Sequence, residues 1–185
     1  MSSSAPVLVV VAHGSESLET VTIVNLLRRA ALAVTVASIE ATTVIDGTRG
    51  IRFMADELLA NLDRQPWSIV VLPGGATGAE ALGCHPPLVA MLEARSAAGQ
   101  PIAAICAAPA LTLAANGLLE GRRATCYPAF REQLPNYVDQ AVVRDGPFTT
   151  SQGPGTAIAF ALDLIEQLSG KARRDAVATG LLVAP

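Results

Sequence analysis

Pro101-Ile102-Ala103-Ala104-Ile105-Cys106-Ala107-Ala108-Pro109 is the stretch from which the fold can be read. Its opening is short and apolar, with β-branched residues at 102 and 105, the pattern of a buried strand. Pro109 suits the first turn of a helix, where its missing N–H costs nothing. Between strand and helix stands Cys106, with small neighbours only: Ala104, Ala107 and Ala108. A residue at so sharp a corner is crowded, and small neighbours are what a nucleophile elbow requires. The helix start behind it offers free N–H groups and a positive dipole end, which favour a thiolate. The expectation is a Cys106 pKa below the ordinary thiol value of about 8.5. The competing reading is a buried structural cysteine, since free Cys is among the most buried residue types.

Outward from this corner the chain alternates strands and helices. Val7 to Val11 and Trp67 to Leu72 are continuous apolar runs, as in strands buried on both faces of a parallel sheet. Leu32 to Ile39 and Phe148 to Ser151 read as further strands, with shorter ones at Arg123 to Tyr127 and Ala141 to Arg144. A helix is predicted from the turn His13-Gly14-Ser15 to about Ala31, with Leu18, Val21, Val24, Leu27 and Ala31 at helical spacing. Another is predicted from Leu82 to Ala98, broken at Pro86-Pro87, and the elbow helix should stop at Asn116-Gly117. Helices are also expected up to Leu168 and from Lys171 to Thr179, before an apolar tail. Asp46-Gly47, between Thr43-Val44-Ile45 and Ile51-Arg52-Phe53, predicts a small hairpin. The whole argues for an α/β sandwich with a mostly parallel sheet, one domain over residues 1–185.

In such a sheet ligands bind at the carboxyl ends of the strands. Gly14, Gly74-Gly75 and Gly153 to Gly155 fall at that edge, as does Cys106. Glu16 and Glu19 lie on one face of the first helix; a carboxylate aimed at a thiol can act as general acid or base. Both would also favour the helix dipole from its first turn, which is the simpler role. Gly74-Gly75 and Ala107 can present N–H groups to an oxygen, as an oxyanion hole beside Cys106. The glycine turns would also serve a flavin or nucleotide phosphate, but Glu16 and Glu19 would repel it. No C-x-x-C or H-x-x-x-H spacing is present, so neither a zinc site nor another cofactor is expected.

Composition excludes several classes. Hydrophobic residues make up 51% and charged residues 16%, which is globular rather than disordered. A net charge of −3 without a basic groove argues against nucleic acid as a specific partner. Met1 to Pro6 carries no basic n-region, and no run is long enough for a membrane span. Three widely spaced cysteines do not make a disulfide framework, so a cytoplasmic location is expected.

Leu72-Pro73-Gly74-Gly75, Ala104-Ile105-Cys106-Ala107 and Thr150-Ser151-Gln152-Gly153-Pro154-Gly155-Thr156, in that order, resemble the ThiJ/PfpI superfamily. Glu19-Thr20-Val21, Leu27-Arg28-Arg29-Ala30 and Thr48-Arg49 resemble its branch of the Parkinson-associated protein deglycase, with the bacterial YajL-like proteins nearest. The resemblance runs from about Val7 to Val183. It implies a flavodoxin-like three-layer sandwich, a homodimer, and an oxidisable nucleophile at Cys106 partnered by Glu19 rather than Glu16. It also implies backbone donors at Gly75 and Ala107. The implied activity is glutathione-independent glyoxalase or deglycase chemistry on small reactive carbonyls such as methylglyoxal or on glycated adducts. The implied alternative is a non-enzymatic redox sensor or chaperone that works by oxidation of Cys106. Many members have a histidine where this chain has Tyr127; YajL-like members have an aromatic residue there. A phenol, with a pKa near 10, is a weak substitute for imidazole in proton transfer, so slow turnover is expected.

Overall fold

The computed structural model describes residues 6–62 and 66–183. The serine-rich start and the end of the apolar tail lie outside the described residues. The chain runs β1 (Val7–Val11), α1 (Ser17–Arg29), β2 (Val34–Ser38), β3 (Val44–Asp46), β4 (Arg52–Met54), β5 (Glu57–Leu58) and β6 (Ile69–Leu72). Then come α2 (Ala76–Gly83), α3 (Pro86–Ala97), β7 (Ile102–Ile105), β8 (Arg123–Ala124), β9 (Asn136–Tyr137), β10 (Val142–Asp145), β11 (Phe148–Ser151), α4 (Ala157–Ser169) and α5 (Lys171–Gly180).

A seven-stranded sheet has the order β10-β11-β7-β6-β1-β2-β5. Every pairing in it is parallel except β10 with β11. Helices α1, α4 and α5 pack together, and α2 packs with α3 and with the elbow helix that follows β7. These groups cover a sheet whose inner strands are buried: β1, β6 and β7 have no exposed residue. This is the mostly parallel α/β fold expected, and aliphatic runs form it because both faces of a strand meet helices. Replacing one of these side chains by Ala, Ile69 for example, would cost about 2–5 kcal/mol in lost burial and cavity. The strand order reverses between β1 and β6: β1 leads to β2 on one side, β6 to β7 on the other. That reversal opens a crevice outside their carboxyl ends.

The opposite edge is closed by Arg95 of α3, which is 6% exposed. Its guanidinium donates to the carbonyls of Trp67 (3.0 Å), Ser68 (3.4 Å) and Pro101 (2.9 Å), at the amino ends of β6 and β7.

Several local expectations are corrected. The stripe Leu18, Val21, Val24 is not the core face of α1: Leu18 and Val21 are 52% and 54% exposed, and Ile23, Leu26 and Leu27 are buried instead. The first turn of α1 is tied down from elsewhere. Glu16 N–H donates to Gly74 O (2.9 Å), and Ser17 N–H to Thr48 Oγ1 (3.3 Å). These ties rotate Glu19 and Thr20 inward. The hairpin exists, but Asp46 pairs with Arg52 inside it, and residues 47–51 form the turn. Helix α2 begins at Ala76, not Leu82, and the break before Pro86 is capped by His85, whose Nδ1 accepts from Leu88 N–H (3.3 Å). The predicted strand from Arg123 is only Arg123–Ala124. The elbow helix is a π-helical turn, Pro109–Leu113, then a tighter turn that ends, as read, at Gly117 with φ 70°.

Candidate functional site

Cys106 has φ +65°, in the left-handed region that residues with a Cβ rarely occupy. Such a conformation costs about 1–3 kcal/mol and persists only where the surroundings fix it. Here both its backbone groups are held: its N–H donates to Ser151 O (2.9 Å), and its C=O accepts from Tyr127 N–H (2.7 Å). The strand-to-helix corner expected from the alanine-flanked cysteine is therefore present. Its thiol projects over the crevice at the β1–β6 reversal, where α1 and the β6–α2 turn meet it.

Glu19 comes from α1 and is fully buried. Its Oε2 accepts from Gly74 N–H at 2.8 Å, and its carboxyl interacts with the Cys106 thiol. Its Oε1 has no hydrogen-bond partner of good geometry among the described residues. Gly74 is glycine for a reason specific to this site: a Cβ there would collide with Cys106 Cβ and lie 2.7 Å from Glu19 Oε2. Gly75, with φ +85°, caps α2, and a Cβ would strike Gly14 O. The N–H groups of Gly75 and Ala107 both face the Cys106 sulfur and favour its charged form.

Burial pushes the Glu19 carboxyl up to about 7, and the charge of Glu16 adds to this; Gly74 N–H and the thiol pull the other way. Burial also pushes the Cys106 thiol up, to about 12, with the Glu19 charge second; Gly75 and Ala107 N–H oppose it. The expectation that the helix start alone would lower the thiol is corrected: Ala107 N–H does favour the thiolate, but burial outweighs it. The two groups are coupled. A proton on Glu19 removes the charge that burdens the sulfur and turns the carboxyl into a donor toward it.

Other residues singled out in the sequence fall around this pair. Glu16 serves mainly as the cap of α1, accepting from Leu18 N–H at 3.4 Å. Tyr127 stands at the rim, 45% exposed; a Cβ on Gly153 would lie 3.3 Å from its ring and 3.9 Å from Cys106 Sγ. Cys126 is fully buried, its thiol donating to Tyr127 O (3.3 Å) and pushed up to about 12 by burial. His13 does not reach toward the thiol; its Nδ1 accepts from Asp46 N–H at 3.1 Å. Sequence reading missed Ser15, fully buried, whose Oγ accepts from Ala12 N–H (3.0 Å) and shapes the turn before Glu16. The available signal is its place in the turn His13-Gly14-Ser15 at the end of an apolar run.

A strained cysteine corner, a buried glutamate from the first helix and a Gly-Gly turn after the β6 strand form one site. The family model described as DJ-1/PfpI matches residues 5–167. The chain belongs to the DJ-1/PfpI family. It is 44% identical over 183 residues to Protein DJ-1 homolog A of Arabidopsis thaliana, covering 97% of this chain and 47% of that protein. The chain thus spans about half the length of the Arabidopsis relatives it matches. It is 30% identical to a Caenorhabditis elegans relative named glutathione-independent glyoxalase DJR-1.2, over 92% of this chain and 91% of that one. The solved structure of oxidized Toxoplasma gondii DJ-1 superposes with a TM-score of 0.94 at 42% identity, covering 98% of this chain and all of that one. No described helix is long and apolar enough to cross a membrane.

Proposed function

We propose that this chain detoxifies small reactive carbonyls through Cys106 and Glu19, with methylglyoxal as the model substrate. The reading rests on one observation: a fully buried carboxyl beside the thiol, one oxygen held by Gly74 N–H and the other without a well-formed hydrogen bond among the described residues. In the reactive state Glu19 carries the proton and the sulfur the charge, which Gly75 and Ala107 N–H stabilise. The thiolate adds to the aldehyde carbon of methylglyoxal, and the alkoxide takes the Glu19 proton to give a hemithioacetal. Glu19 as base removes the C1 proton and returns it to C2, leaving a lactoyl thioester. Water hydrolyses the thioester, releasing lactate and the thiol; the net reaction adds one water and needs no external oxidant. The glyoxalase name of the nematode relative supports this substrate class. Early glycation adducts present the same carbonyl chemistry. Lactate formed from methylglyoxal without glutathione is the test: wild type should produce it, Cys106→Ser should not, and Glu19→Gln should be strongly reduced.

A second reading is favoured by the same unpartnered oxygen. Two oxygens added to Cys106 as a sulfinate would accept a hydrogen bond from protonated Glu19. That chemistry would make the chain an oxidative-stress sensor or redox-regulated chaperone, and the oxidized state of the Toxoplasma relative supports it. Mild peroxide should then add two oxygens to Cys106 before Cys84 or Cys126 is altered. A Cys106–Cys126 disulfide as the main product in peptide mass spectrometry would reject it.

We also infer a homodimer. The apolar surface that α1 leaves exposed, Leu18 and Val21, is joined by Ile51 and Met54 from the hairpin, 50% and 70% exposed. A cavity of about 500 Å³ opens between them, lined by Val21, Val24, Arg28, Phe53 and Met54. A monomeric mass by light scattering at micromolar concentration would contradict this. The aromatic Tyr127 in place of histidine fits the YajL-like branch, within which slow turnover is expected.

A further inference from the structure

The two N–H groups that face the Cys106 sulfur come from different elements. Gly75 caps α2, and Ala107 opens the elbow helix. Their spacing is set by how these two elements are joined, and one polar side chain joins them in the interior. Thr112 is fully buried in the elbow helix, and its Oγ1 donates to Ala79 O of α2 at 2.7 Å. Ala79 N–H in turn donates to Gly75 O (2.8 Å), and Leu111 N–H, next to Thr112, donates to Ala107 O (2.8 Å). These three hydrogen bonds, with the peptide link between Leu111 and Thr112, connect one donor residue to the other.

A second contact lies one turn further along both elements. Asn116 Nδ2 donates to Gly83 O of α2 (3.0 Å) and to Thr112 O (2.8 Å). Gly83 allows the approach: a Cβ there would strike Leu111 O and lie 3.2 Å from Thr112 Cα. A threonine in an otherwise apolar turn costs desolvation unless its hydroxyl is used. The π-helical widening at Pro109–Leu113, a feature frequent at functional sites, sets where that hydroxyl meets α2.

We propose that Thr112, supported by Asn116, is a positioning residue that sets the distance between the Gly75 and Ala107 donors and so tunes the reactivity of Cys106. The inference rests on the proposed reading of Cys106 as the reactive thiol, but its test does not depend on the substrate. Alkylation of Cys106 by iodoacetamide, followed by peptide mass spectrometry from pH 5 to 9, reads thiolate reactivity directly. In Thr112→Val, which keeps the shape and loses the donor, the rate at pH 7 should fall about fivefold, the worth of roughly one net hydrogen bond. Its rate should stay below wild type across that pH range. Thr112→Ser, which keeps the hydroxyl, should restore the wild-type profile. Asn116 is half-buried, so Asn116→Ala should fold even where Thr112→Val does not, and it should shift the profile in the same direction. Profiles of Thr112→Val and Asn116→Ala that superimpose on wild type would overturn the proposal, whatever the loss in stability. A wild type that makes no lactate would overturn the proposed reaction and leave this result standing.

Discussion

The two edges of the sheet each bury an ionisable side chain, and they treat it in opposite ways. At the amino edge Arg95 meets backbone carbonyls of Trp67, Ser68 and Pro101 with three nitrogens. No substrate has anything left to engage there. At the carboxyl edge Glu19 is buried at least as deeply, yet among the described residues only Oε2 has a hydrogen bond of good geometry, and its pKa is pushed up to about 7. A satisfied buried ion holds structure together. A buried carboxyl with a free oxygen, beside a thiol on a strained backbone, costs stability and is poised to exchange a proton. The first is a clamp; the second is a reagent.

The largest expected effect tests the reagent. Cys106→Ser should bring lactate production from methylglyoxal to background, because an alcohol in this site is not ionised near neutral pH. Its folding midpoint in urea should stay close to wild type. Residual turnover in this variant would move the chemistry away from the carboxyl edge and break the comparison. The clamp is tested by Arg95→Met, which fills similar volume but removes the guanidinium from three carbonyls, of which Pro101 O keeps Val70 N–H (3.3 Å). At about 1–3 kcal/mol for a buried acceptor that loses its donor, partly relieved by water, the loss of stability should be roughly 3 kcal/mol. Thiol chemistry in the fraction that remains folded should be intact.

Glu19→Gln sharpens the contrast through pH. A carboxyl raised from 4.5 to about 7 means that the folded state binds more protons than the unfolded state within that window. Stability therefore falls as pH rises through the window, and the loss is complete above it. At 1.36 kcal/mol per unit this amounts to about 3 kcal/mol. Coupling to Cys106 does not change the sign, since the pair gives up its first proton above the unfolded carboxyl value whichever group releases it. Glutamine keeps the acceptor for Gly74 N–H and carries no charge. Urea midpoints should thus diverge in favour of the variant between pH 4.5 and 8, while carbonyl turnover falls. Parallel midpoints across that range would show that Glu19 titrates as an ordinary surface carboxylate.

How far the sequence shows this contrast depends on what each element buries. β1, β6 and β7 are legible because strands buried on both faces are continuous apolar runs. Cys106 is legible because only small residues surround it, and Gly74-Gly75 because a glycine pair after a strand demands a close approach. The core face of α1 is not legible. Its spacing points to Leu18 and Val21, but the chain buries Glu19 and Thr20 and leaves those aliphatics at the surface, a choice that hydrophobic periodicity cannot see. Arg95 reads as an ordinary helix-surface cation, since two of its acceptors, Trp67 and Ser68, lie 28 and 27 residues away in the chain. The thiol's ionisation was misjudged for a related reason. The helix start is local and visible at Pro109, whereas the burial that opposes it comes from the packing of α1 and α2 over the site.

The smallest expected effect concerns Tyr127, which stands between the two behaviours. Its backbone is part of the scaffold: the N–H holds Cys106 O at 2.7 Å and helps fix the strained corner. Its ring leans on Gly153 at the rim, and the residue is 45% exposed whereas Glu19 is fully buried. A phenol with a pKa near 10 is a poor proton donor or acceptor at neutral pH. Tyr127→Phe keeps both the N–H and the ring, and should change methylglyoxal turnover by less than about twofold, since no good acid–base group is removed. Tyr127→His places an imidazole at the same rim position with a pKa near the working pH. It should raise turnover about tenfold, below the usual range for general acid–base assistance because Glu19 already moves the protons. Fast wild-type turnover that collapses in Tyr127→Phe would make the phenol part of the reagent, and the carboxyl edge would then owe its chemistry to three side chains rather than two.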